Sequence, residues 1–116
     1  MEATINLKEM LLRDFDIDLP ISGGTGNSKD NPIIINPTKN PVEVEYDVLN
    51  CLCIGRNVEW KTLGQEFFTY NGKRMDKIKI EVIPLTETQI ITTIENYYFQ
   101  LPDTPSQSTW LFQRER

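Results

Sequence analysis

Asp14, Asp16 and Asp18, three carboxylates at alternating positions, form the first group whose spacing could do chemistry. Alternate carboxylates open the loop that holds calcium, which also needs a glycine at its sixth position and a glutamate at its twelfth. Here those positions hold Leu19 and Thr25, so the calcium pattern fails. Gly23-Gly24-Thr25-Gly26 invites a phosphate-cradling reading, yet no Gly-Lys-Ser/Thr closes it. Asn31-Pro32 leads from it into an extended apolar run, not into a helix whose N-terminus could hold an anion. The only cysteines, Cys51 and Cys53, are too few for a closed tetrahedral metal site. If they lie on a strand they share one face but stand about 6.6 Å apart along it, which makes a mutual disulfide awkward. Two reduced thiols in or near the core are expected, with a redox or metal-shuttle pair as the alternative.

The chain contains no histidine. That excludes imidazole general acid/base catalysis, Ser-His-Asp and Cys-His nucleophiles, and most zinc, copper and non-haem iron sites. An enzyme built on this sequence would have to use Asp, Glu, Tyr, Lys or Cys, and no spacing brings two of them together. No catalytic, cofactor-binding or metal-ligating residue is therefore assigned. Lys73, Arg74, Lys77 and Lys79 form a basic cluster without an aromatic RNA-binding signature. Glu66 is expected to face Lys77 and partly neutralise it. Neither nucleic acid nor a membrane is an expected partner.

Charge is unevenly distributed. The 116 residues carry 12 basic and 17 acidic side chains, a net charge of −5. Residues 1–55 hold nine of the acids and four of the bases, while residues 56–116 hold eight of each. The whole net charge thus belongs to the N-terminal half, and such asymmetry speaks to association partners more than to fold. The Asn36-Pro37-Thr38 sequon is disabled by its proline. The N-terminal stretch MEATINLKEMLLRDF has no basic segment ahead of an apolar one, and reduced thiols suit the cytosol. A cytoplasmic location is expected, and no apolar run approaches the roughly 20 residues of a spanning helix.

The elements that must position these residues follow from periodicity. Ile5, Leu7, Met10, Leu11 and Leu12 recur near helical spacing, so a short amphipathic helix is expected over about residues 4–14, with Thr4 as N-cap. From Asp14 to Leu19 apolar and acidic residues alternate, the period of a strand. The three aspartates would then form one solvated acidic stripe. Residues 22–31 form a glycine-rich, flexible loop, and Pro32-Ile33-Ile34-Ile35-Asn36 a short buried strand. Val42, Val44 and Tyr46 alternate with Glu43 and Glu45, again a strand period, and residues 47–54 read as strand or helical turn, with Cys51-Leu52-Cys53-Ile54 leaning to strand.

Asn71-Gly72 between two long β-rich runs is the strongest short-range hairpin signal in the chain. Uninterrupted pairing would set Lys61 opposite Val82, so a bulge is expected near Gly64, pairing Trp60 with Val82 and Thr62 with Ile80. A turn at Thr86–Thr88 and a third run over residues 89–99 complete a β-meander. Residues 102–116 form a tail whose Trp110-Leu111-Phe112 could dock on the sheet. The fold class is α+β: one domain over residues 1–116, with a mainly antiparallel sheet and one N-terminal helix.

Three functions fit this frame. The first is a non-catalytic acidic protein of the immunity or inhibitor type, as bacterial immunity proteins are, blocking a basic partner such as a nuclease toxin. Asp14, Asp16, Asp18, Ser22, Gly23, Gly24 and Asp30 are its candidate contact residues, joining like charges to adaptable backbone. The second is a structural or assembly subunit of a phage or secretion apparatus, associating through sheet edges. The third is a small-molecule binder or enzyme.

Overall fold

The computed structural model describes residues 6–85 and 91–103, and two helices and five strands lie within them. Helix α1 spans Leu7–Phe15. Its N-cap is Asn6, whose side chain accepts the Glu9 N–H at 2.8 Å. The expected cap, Thr4, lies outside the described residues. Leu7, Met10, Leu11 and Phe15 form the stripe that faces the core, so the apolar face carries the helix past Asp14. Asp16 then closes it in the left-handed conformation, φ 58°, with its N–H returned to the Leu11 and Leu12 carbonyls. The strand expected over residues 14–19 does not form: Asp14 and Phe15 complete α1, Asp16 caps it, and residues 17–20 follow without regular structure.

The second correction is larger. Residues Pro41–Gly55 form helix α2, where residues 42–46 read as strand. Pro41 sits at the first helical position, where its missing N–H costs nothing. Val44, Val48 and Cys51 form one buried ridge, and Glu45, Leu49 and Cys53 the next. Both ridges face the sheet. Cys51 and Cys53 are accordingly buried free thiols on a helix, raised in pKa chiefly by burial.

The strands are β1 (Ile21–Gly23), β2 (Ile33–Ile35), β3 (Val58–Tyr70), β4 (Lys73–Pro84) and β5 (Thr93–Gln100). They assemble in the order β1-β2-β5-β4-β3, antiparallel throughout except where β2 runs parallel to β5. The β3–β4 hairpin turns at Asn71 (φ 53°) and Gly72 (φ 75°), the double positive φ that this dipeptide tolerates. The bulge lies where expected: Thr62 pairs with Ile80, Leu63 stands out of register, and Gly64 pairs with Lys79. Trp60 thereby faces Val82 and is half-buried against α2, its ring 5.6 Å from that of Tyr46 and its indole N–H donating to Asn50 at 2.9 Å. Glu66 does face Lys77, at 3.9 Å. The turn at residues 86–88, the start of the third run and the Trp110–Phe112 segment lie outside the described residues.

Both helices pack on one face of the sheet, over Ile33, Ile35, Ile78, Ile80, Val82 and Phe99. The loop between β1 and β2, expected as the flexible stretch, is hydrogen-bonded within itself and to the sheet. Gly24 and Gly26 donate to the Pro32 and Asn31 carbonyls, and the Asn31 amide donates to Thr25 and Asn27. Its far end reaches across the other face of the sheet, placing Lys29 over the Tyr70 ring at 4.6 Å.

Candidate functional site

Two carboxyl groups meet under α2. Glu45 projects from the inner side of the helix, and Asp76 lies on the same sheet face as Ile78, Ile80 and Val82; both are fully buried. Gln65 on β3 donates its amide to Asp76 Oδ2 at 2.6 Å. If both acids were ionised, neither Glu45 oxygen nor Asp76 Oδ1 would have a hydrogen-bond donor. One proton on Glu45 eases that conflict, since it can be donated to Asp76. Burial raises both groups, and the neighbouring Asp76 raises Glu45 further, to about 10, so Glu45 is neutral at pH 7. Gln65 is the exposed residue over the pair. Such a pair can exchange a proton, but burial leaves no room on it for a substrate.

A groove of about 510 Å³ lies one helical turn from Glu45, between the start of α2 and the hairpin end of β3 and β4. Pro41, Val42, Phe67, Met75 and Leu101 line it, and neither buried carboxyl does. At the other end of α2, Arg56 holds Glu95 through two bonds of 2.8 Å. The guanidinium lowers the Glu95 pKa, while burial lifts Tyr97 beside it to about 12.

The residues expected to form a contact site are not brought together. Asp14 is paired with Arg13 at 2.7 Å, which lowers its pKa, and Asp18 is paired with Lys8. Asp16 is an exposed helix cap. Ser22 and Gly23 belong to β1, and Gly24 begins the loop. Asp30 accepts a hydrogen bond from Tyr70 at the tip of the β3–β4 hairpin, beyond the opposite sheet face. The charges instead differ modestly between the layers. The helix-bearing side carries Glu9, Asp14, Asp16, Asp18, Glu43, Asp47 and Glu95 against Lys8, Arg13, Lys39, Arg56 and Arg74. On the opposite sheet face Lys61, Lys73, Lys77 and Lys79 outnumber Glu59, Glu66 and Glu81.

Sequence reasoning missed Glu45, Asp76 and Gln65. A signal existed for Asp76, which continues the even-numbered apolar series Ile78, Ile80, Val82. Glu45 had none while residues 42–46 read as strand. No protein-family model, no curated protein and no solved structure matches this chain.

Proposed function

We propose that the protein is a non-catalytic interaction protein of the immunity or inhibitor type, docking a basic partner such as a nuclease toxin through its helix-bearing side. The observation that carries this reading is the set of carboxylates on that side left without a cation. Among the described residues no ion pair engages Asp16, Glu43 or Asp47, and all three are exposed on that side. Unpaired carboxylates on one side of a molecule accelerate encounter with a cationic surface and bias its orientation. Asp14 and Asp18 already have internal cations, so they belong to the rim of such a contact. The sealed state of the Glu45–Asp76 pair also favours binding over catalysis.

The test compares two triple variants, Asp16→Asn/Glu43→Gln/Asp47→Asn and Asp14→Asn/Asp16→Asn/Asp18→Asn, in binding to the cationic protein captured from the native host. The first is expected to slow association more than the second and to flatten its salt dependence. A captured partner that is acidic or neutral, or binding that neither variant nor salt alters, overturns the reading.

A further inference from the structure

The outer edge of β3 is free: among the described residues no strand pairs with it, over 13 residues from Val58 to Tyr70. Long unpaired edges are templates for strand addition and are usually blunted. This one displays Leu63 at 44% and Phe67 at 60% exposure, next to an oppositely charged pair of exposed side chains, Lys61 and Glu66.

We infer that β3 pairs antiparallel with β3 of a second copy of this chain, about a two-fold axis between Leu63 and Gly64. The bulge makes this register self-consistent. Trp60, Thr62, Gln65 and Phe67 face the helices through their pairing with Val82, Ile80, Ile78 and Asp76, whereas Glu59, Lys61, Gly64, Glu66 and Phe68 face the other way. In a regular strand an odd register would oppose residues from different faces. The out-of-register Leu63 shifts the alternation by one, so the two-fold pairs like with like. Trp60 then meets the second copy's Phe67 on the helix side, and Thr62 meets its Gln65. On the open side Lys61 meets the second copy's Glu66, and symmetry makes that ion pair twice. Leu63 falls opposite the second copy's Gly64, where even an added Cβ would touch nothing within 4 Å, so the protruding side chain has room. An isologous contact needs a self-complementary surface of this kind. The pairing buries both exposed apolar side chains and gives partners to an edge that no described strand pairs with. It goes beyond the acidic docking reading and does not depend on it, since none of Asp16, Glu43 and Asp47 lies on β3.

The test is sedimentation of the full chain up to about 100 μM together with a charge swap. The wild type is expected to dimerise. Lys61→Glu and Glu66→Lys are each expected to weaken the dimer at least about tenfold, because each creates two like-charge cross-strand pairs. The double variant K61E/E66K is expected to recover it, since the opposed charges are merely exchanged. A Lys61→Cys/Glu66→Cys variant is expected to form an intermolecular disulfide without disturbing the buried native thiols. A strict monomer, or a dimer that both single reversals and the swap leave unchanged, overturns the proposal. Either result leaves the acidic docking test above intact.

Discussion

Replacing Glu45 by glutamine should make the protein more stable at neutral pH, not less. The glutamine keeps the shape of the side chain and can donate its amide to Asp76, as the protonated acid does. What it removes is a proton. In the unfolded chain Glu45 ionises near 4.5, whereas burial beside Asp76 keeps it protonated in the folded state. A group whose folded pKa is raised gives its full contribution below the unfolded pKa and loses it as pH climbs towards the folded one. The loss is about 1.36 kcal/mol per pH unit. Between pH 4.5 and 7.5 it reaches about 4 kcal/mol as an upper bound, and about 2–4 once relaxation around the pair is allowed for. Glu95 and Asp14 have lowered pKa values and act oppositely, but they are ionised in both states above about pH 5. The assay is urea unfolding of wild type and Glu45→Gln at intervals from pH 5 to 8. Wild-type stability should fall across this range, and the variant should be flatter and lie higher at pH 7.5. Glu45→Ala should be less stable than Glu45→Gln, since it leaves Asp76 without that donor and opens a void. Parallel profiles for wild type and Glu45→Gln would refute a shared proton.

Gly24→Ala should cost about 1–3 kcal/mol in thermal unfolding, because its Cβ would lie 1.7 Å from Asn31 Oδ1 and 2.8 Å from the Asn31 carbonyl. Gly72→Val should cost about 1 kcal/mol or more, since a β-branched residue would be forced to φ 75° at a position with free space but the wrong backbone; an unchanged melting temperature would contradict the positive-φ turn. Cys51 and Cys53 should react slowly with a thiol reagent in the native protein and give two thiols per chain after unfolding without reductant; fast native labelling would contradict their burial. Arg56→Met should reduce stability more at pH 6 than at pH 3, because the lowered pKa of Glu95 makes their pairing a contribution that is lost as Glu95 is protonated.

Local chemistry was readable in the chain. Asn71-Gly72 specifies a turn by backbone preference alone, and the bulge at Leu63-Gly64 followed from asking which register buries Trp60 and keeps Lys61 out of the core. Both depend on neighbours within one hairpin. The α+β class and the β3-β4-β5 meander were legible for the same reason. The short Ile33–Ile35 strand was legible too, but not its parallel partner: β2 meets β5 over some 65 intervening residues, and nothing local records that. Helix α2 was misread because Val42-Glu43-Val44-Glu45-Tyr46 satisfies a two-residue period, while its 3.6-residue period emerges only with Val48, Leu49, Cys51 and Cys53. The sheet arbitrates, since only a helix presents Val44, Glu45, Val48 and Leu49 to it together. That packing also turned Glu45 from an apparent surface charge into a buried proton holder. Residue type sets what a side chain can do, but whether a carboxyl is solvated or sealed beside another depends on contacts between elements far apart in sequence, and those exist only once the chain has folded.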